Sequence, residues 1–402
     1  MNFRFSKCAV ALTLALLAAS NPKLAQAEEI LNTTPASSTE ASQAVPVESD
    51  TTEEADNTES PVPATTEAEN PSSSETAETS DPTSETTDTT TSEARTVTPA
   101  TTETSQPVEG QTVDVRILAT TDLHTNLVNY DYYQDKPVET LGLAKTAVLI
   151  EEAKKENPNV VLVDNGDTIQ GTPLGNYKSI VDPIEEGEQH PMYAALETLG
   201  FDVGTLGNHE FNYGLAYLEK VIRTANMPLV NANVLDPTTK DFLYTPYTIV
   251  KKTFTDTEGK KVTLNVGVTG IVPPQILNWD KAYLEGKVIV RDAVEAVRDI
   301  IPTMRENGAD IVLVLSHSGI GDDQYEVGEE NVGYQIASLS GVDAVITGHS
   351  HAEFPGTAEK PSFYAKYSGV DDTNGKINGT PVTMAGKYGD HLGVIDLNLV
   401  FK

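Results

Sequence analysis

A series of polar clusters, each placed just after a short apolar run, constrains this chain more than any other feature. Val113 to Ala119 is followed by Asp122-Leu123-His124, and Val160 to Val163 by Asp164-Asn165-Gly166-Asp167. Phe201 to Leu206 leads into Gly207-Asn208-His209-Glu210-Phe211-Asn212, Ile311 to Leu315 into Ser316-His317, and Val342 to Ile346 into Gly348-His349-Ser350-His351. Continuous apolar runs of this length read as buried strands. Between them, Leu141 to Glu156, Met192 to Leu199, Leu215 to Ala225 and Asp292 to Asn307 read as helices, the last with Gly308 as its C-cap. Leu229 to Val234 reads as a further strand. Tyr247 to Phe254 and Lys261 to Ile271 alternate around Asp256-Thr257-Glu258-Gly259, a hairpin signature. Pro381 to Val400 returns to strands. Strands alternating with helices predict a mixed α/β sheet system of about 290 residues. Parallel neighbours would bring the strand ends, and their clusters, to one crevice.

The polar clusters carry weight together rather than singly. Asp122 and His124 alone read as a capping Asp and a loop His; Asn-Gly-Asp before residue 168 is ordinary turn chemistry. Asn208 alone reads as a helix cap, and a lone His317 after an apolar strand as structural. His349 and His351, two imidazoles two residues apart, are a stronger sign, because neutral imidazole is the commonest protein metal ligand. Brought to one crevice, Asp122, His124, Asp167, Asn208, His317, His349 and His351 form the donor set that two divalent cations about 3.5–4 Å apart require. Such a site suits Mn, Fe, Co or Zn. His190 reads as a loop residue and Trp279 as packing rather than a base-stacking platform; nothing in the spacing of His391 places it at a site.

What precedes residue 113 has a different character. Residues 1–27 read as a signal peptide: Arg4 and Lys7, the apolar run Cys8 to Ala19, and Ala25-Gln26-Ala27 as cleavage site. That run is short of the ~20 residues needed to span a bilayer, and no later run is long enough, so secretion is expected and a transmembrane segment is not. Residues 28–112 are Thr, Ser, Glu, Pro and Ala, with 19 acidic residues against one basic. Such a segment cannot bury enough apolar surface to offset its ordering entropy, and reads as a disordered spacer. A stalk associated with a cell wall and a simple tail are both open. The lone cysteine, Cys8, leaves a mature chain without disulfides or thiolate-held zinc. Residues 113–402 carry a net charge of −18, which argues against a nucleic-acid polymer as partner but not against a small anion held through metal.

The ordered clusters D-x-H, G-D, G-N-H-E, H and G-H-x-H resemble the calcineurin-like metallophosphoesterase superfamily. Thr120 to His124, Asp131-Tyr132-Tyr133, Leu206 to Gly214, Val230 to Asn233 and Val272 to Gln275 further resemble its 2',3'-cyclic-nucleotide 2'-phosphodiesterase/3'-nucleotidase family. The resemblance covers about residues 113–400. It implies a four-layer α/β/β/α sandwich of two mixed sheets. It also implies one metal held by Asp122, His124, Asp167 and His351, and a second by Asp167, Asn208, His317 and His349. His209 would face the leaving group. Relatives that are 5'-nucleotidases commonly have Gln at the position of His351 and Asp at that of Asn212; His and Asn here favour the cyclic phosphodiesterase branch. Asn212 in place of a carboxylate leaves the support of His209 to come from elsewhere. The family normally carries a C-terminal nucleoside-binding domain, whereas this sequence ends at Lys402, so the resemblance is to the catalytic domain. The expected function is a secreted two-metal phosphoesterase acting on 2',3'-cyclic nucleotides and 3'-nucleotides by attack of a metal-bound hydroxide. The competing readings are a 5'-nucleotidase or nucleotide-sugar hydrolase, a cyclic-dinucleotide phosphodiesterase, and a cell-surface binding module without activity.

Overall fold

The alternation of buried apolar strands and amphipathic helices produces four layers. The structure, a computed structural model, describes residues 106–402; the expected signal peptide, and the expected spacer up to residue 105, lie outside the described residues. The first sheet contains β1 (Thr112–Thr120), β2 (Val160–Asp164), β3 (Val203–Thr205) and β4 (Leu229–Val230) in parallel. The hairpin signature forms β5 (Tyr247–Thr255) and β6 (Lys261–Ile271), which pair antiparallel from Tyr247 opposite Thr269 to Thr255 opposite Lys261. Then β7 (Ile311–Ser316), β8 (Ala344–Thr347) and β9 (Thr380–Ala385) run parallel to β6 and to each other in a second sheet. The last strand, β10 (Gly393–Val400), returns to the first sheet as an antiparallel edge on β1.

The strand patterns explain the layering. Val113, Val115, Ile117, Val161 and Val163 of the first sheet meet Leu264, Val266, Leu313, Leu315 and Ile346 of the second in one buried layer. Side chains on the opposite faces go to the helices, because successive strand residues point to opposite sides. Leu118 and Leu162 pack against Ile150 of α1 (Leu143–Glu156), Leu196 of α2 (Pro191–Leu199) and Leu218 of α3 (Leu215–Thr224). Val312, Val314 and Val345 pack against Val297, Ile301 and Met304 of α4 (Ala293–Glu306). The strands, covered on both faces, therefore read as continuous apolar runs. Gly308, just past α4, has φ 89°, the left-handed conformation that ends helices.

One expected strand is broken. Leu229 to Val234 does not run through, because the Asn231 side chain accepts from the N–H groups of Asn233 and Val234 at 3.1 and 2.9 Å. That side-chain turn competes with the ladder, and β4 stops at Val230. No helix among the described residues is long and apolar enough to cross a membrane.

His190, read as a loop residue, starts α2. Its Nδ1 accepts from Met192 N–H at 3.3 Å, and the ring is fully buried. Burial pushes its pKa down to about 4 from the ordinary 6.5, with the charge of Lys178 acting the same way. A depressed histidine stabilises the fold above pH 6.5, and that contribution is lost as pH falls towards 4. A shift from 6.5 to about 4 corresponds to on the order of 3 kcal/mol. Urea unfolding between pH 6.5 and 4 is therefore expected to show a steeper loss of stability for the wild type than for His190→Asn. Parallel curves for the two proteins would contradict the assignment.

Candidate metal centre

All the sequence-derived candidates lie at the C-terminal ends of strands from both sheets, and the two sheets aim them at one another. Asp122 and His124 follow β1, Asp167 follows β2, Asn208 and His209 follow β3, His317 follows β7, and His349 and His351 follow β8. Side chains in these loops link the sheets. The His317 ring donates through Nδ1 to the Asn165 carbonyl at 2.6 Å, and His349 N–H donates to the Asp122 carboxylate at 3.0 Å. Gly166 and Gly207 allow the loops after β2 and β3 to touch; a Cβ at position 207 would sit 2.2 Å from Asp167 Oδ1.

The centre is made of acceptors. His351 Nε2 lies 3.4 Å from Asp122 Oδ1 and 3.2 Å from His124 Nε2, which lies 3.6 Å from Asp167 Oδ2. His317 Nε2 lies 3.1 Å from the same Asp167 oxygen and 3.1 Å from Asn208 Oδ1, and His349 Nδ1 lies 2.8 Å from that amide oxygen. The outer ring nitrogens are occupied elsewhere: His124 Nδ1 by the Gln170 carbonyl at 2.9 Å, His317 Nδ1 by Asn165 and His349 Nε2 by Glu330 at 2.8 Å. Each partner is an acceptor, so it keeps the ring proton on the outer nitrogen and turns the inner lone pair to the centre. Asn208 does not act as the helix cap that was its bland reading; its Oδ1 faces His317 and His349.

Electrostatics agree with a cation at this point. Burial disfavours charge on His317, yet the Asp167 and Asp122 carboxylates push its pKa up to about 10. Burial also opposes the charge on Asp167, but His317 and His124 hold it well below the usual carboxylate range. Two buried carboxylates that hold a proton so tightly hold a metal ion in its place. Asp122, His124 and His351 offer ligand atoms within 4.8 Å of one another, as do Asp167, His317 and His349. A third group, His124, Asp167 and His209, meets the same distance. The residues present fit divalent metal.

The backbone is strained at the same residues. Asp122, His124, Asp167, His349 and His351 all have φ between 45° and 62°. Non-glycine residues avoid that region, and such strain clusters at functional sites. It is held in part by a residue the motif reading left without a role. The fully buried Glu210 accepts from the N–H groups of Gly207, Asp167, Thr168 and Ile169, at 2.6, 2.8, 2.6 and 3.2 Å. Burial and nearby Asp167 raise its pKa, while the N–H groups of Thr168 and Gly207 pull it back.

His209 and Asn212 are brought together beside the cluster. His209 Nδ1 lies 2.6 Å from Asn212 Oδ1, and Asn212 Nδ2 donates to both oxygens of Asp280 at 3.0 and 3.2 Å. Asp280 therefore stands behind Asn212 as the carboxylate that the sequence did not place; it is 68 residues away, in a loop with no motif. Trp279, read as packing, stacks on His349 with ring centroids 5.5 Å apart and is 46% exposed, so it rims the site. His391 pairs with Asp390 at 2.9 Å away from the cluster.

A four-layer sandwich with a crevice of converging carboxylates, imidazoles and an amide defines a metal-dependent hydrolase. The model of the calcineurin-like phosphoesterase family matches residues 115–353, and the chain belongs to that family. It is 50% identical over 292 residues to a 2',3'-cyclic-nucleotide 2'-phosphodiesterase/3'-nucleotidase of Salmonella typhimurium, covering 73% of this chain and 44% of that protein. The crystal structure of the calcineurin-like phosphoesterase YfkN from Bacillus subtilis superposes with TM-score 0.68 at 47% identity, covering 72% of this chain and 86% of that one. A 5'-nucleotidase of Bos taurus is 26% identical, covering 70% of this chain and 46% of that protein. The chain thus spans less than half the length of these two full-length relatives.

Glu210→Ala leaves four buried N–H donors without their acceptor. At about 1–3 kcal/mol for an unmet buried group, the variant is expected to lose more than about 3 kcal/mol in urea unfolding. A loss below about 1 kcal/mol would show that Glu210 does not hold the loops.

Proposed function

We propose that this protein hydrolyses 2',3'-cyclic nucleotides and 3'-nucleotides with two divalent cations, Mn, Zn, Fe or Co, in the centre described above. Asp122, His124, Asp167 and His351 would hold one cation and Asp167, Asn208, His317 and His349 the other, with Asp167 shared. The observation that carries the substrate class is the 50% identity to the Salmonella typhimurium protein across a stretch that contains every residue of the centre. His351 and Asn212 favour the same branch. Export of the chain is supported by the signal-like residues 1–27, with the acidic segment as a spacer beyond the cell membrane and a cell wall as its surroundings.

When bound, the two cations supply Lewis-acid charge at the phosphoryl group and make water a nucleophile near neutral pH. The chain's own residues do the rest. Because Asn212 Nδ2 is committed to Asp280, its Oδ1 faces His209 and accepts the Nδ1 proton. Nε2 is left as the nitrogen that exchanges protons. The Asp167 carboxylate fixes the loop by accepting His209 N–H at 2.8 Å. His209 then protonates the leaving ribose oxygen, a step worth about 10²–10⁴-fold. In His209→Ala, kcat is expected to fall by about that factor while elemental analysis finds the metal retained. Loss of metal would instead move His209 into the ligand set, as the His124–Asp167–His209 group allows.

Similarity to the Bos taurus 5'-nucleotidase supports a second reading, a 5'-nucleotidase. A substrate panel with added Mn²⁺ separates the two. The proposal expects kcat/KM for 2',3'-cyclic AMP to exceed that for 5'-AMP; the reverse order sinks it. A protein that cleaves no phosphoester under these conditions is a binding module.

A further inference from the structure

The run Asp131-Tyr132-Tyr133 has no part in the chemistry above, yet it borders the metal centre. A cavity of about 420 Å³ opens beside the cluster, with His209 and His351 at its inner end and Tyr130, Tyr132, Tyr133 and Tyr388 among its walls. That volume falls in the range of about 300–1,000 Å³ typical of small-molecule sites. We propose that this cavity is a nucleobase subsite, carried by the phosphoesterase sandwich itself. It takes the purine or pyrimidine of a nucleotide whose phosphate lies at the metal centre. The proposal rests on the nucleotide reading above.

Three observations carry it. The tyrosines are held open rather than packed away. Tyr130 OH donates to Asp135 at 2.5 Å, and Asp131 accepts from the N–H groups of Tyr133 and Gln134 at 2.9 and 3.0 Å. Tyr133 is 83% exposed and stacks on no other ring among the described residues. A large aromatic fixed on a braced loop, with its face free, is a platform in wait of a planar partner.

The second observation is Tyr388, which joins cavity and centre. Its φ is 60°, a strained value; its N–H donates to the Asp122 carbonyl at 2.8 Å and its carbonyl accepts from Gly142 at 2.7 Å. Its ring meets those of His124 and His351 edge-on, with centroids 5.6 and 5.8 Å apart. A group stacked in the cavity is thus one ring away from the cluster.

The third is charge. Residues 113–402 are net acidic, at −18, and the Asp131 carboxylate at the cavity is already committed to backbone donors. A neutral planar base suits these walls, whereas a second phosphate would meet acidic surroundings without a cation.

The test compares two substrates with the same five-membered cyclic phosphodiester, 2',3'-cyclic AMP and glycerol 1,2-cyclic phosphate, which lacks a base. With the full chain loaded with Mn²⁺, Tyr133→Ala is expected to lower the ratio of kcat/KM for the nucleotide over the glycerol ester by about tenfold, through KM. Tyr133→Phe, which keeps the ring face, is expected to hold the ratio. An unchanged ratio in Tyr133→Ala and in Tyr132→Ala overturns the subsite, since a structural role would lower both substrates alike. If the wild type cleaves neither cyclic ester, the phosphodiesterase reading has failed separately. The same variants are then read with 5'-AMP against methyl phosphate, where a selective rise in KM for 5'-AMP supports the subsite and its absence overturns it.

Discussion

Two buried carboxylates and four imidazoles turn their lone pairs to one small volume, and everything near them exists to keep them there. Without positive charge at that point, Asp122 and Asp167 would repel each other in a low-dielectric interior, where such interactions are strong. The sandwich tolerates the arrangement because it is braced from outside. The Asn165 and Gln170 carbonyls and Glu330 fix ring protons, and Glu210 collects the N–H groups of two loops. Five ligand candidates sit in left-handed backbone, so the fold spends stability to form a site it would otherwise not need.

Position in the fold explains the division of labour. The first sheet supplies Asp122, His124, Asp167, Asn208 and His209; the second supplies His317, His349 and His351. Neither sheet alone completes the centre, which makes the packing of the two sheets through Val161, Val163, Leu313 and Leu315 part of the site's construction. His209 remains at the edge of the cluster, oriented by a neutral amide that is itself oriented by Asp280. An amide in this position settles which nitrogen of His209 carries the fixed proton without adding a charge beside the ring.

Much of this was legible in the sequence, for reasons tied to particular residues. Strands covered on both faces read as apolar runs, and chemistry at strand ends follows them directly, so Asp122, His124, Asp167, Asn208, His317, His349 and His351 were nameable before any coordinates. The four-layer order came from resemblance, because periodicity does not say which helices cover which sheet. Asp280 was invisible: it lies far from Asn212 in sequence, and a carboxylate in a loop carries no pattern. Glu210 sat inside the motif, but its four N–H partners come from backbone, which leaves no trace in side-chain identity. The break at Asn231 failed for the opposite reason, since a local side-chain turn overrode an apolar run.

The central claim is that the converging acceptors are held by divalent cations rather than by protons. Anomalous diffraction from crystals grown with Mn²⁺, measured above and below the manganese edge, tests it most directly. The account predicts two peaks, one among Asp122, His124, Asp167 and His351 and one among Asp167, Asn208, His317 and His349. No peak at the cluster, with Asp167 bonded to a protonated His317, would contradict it.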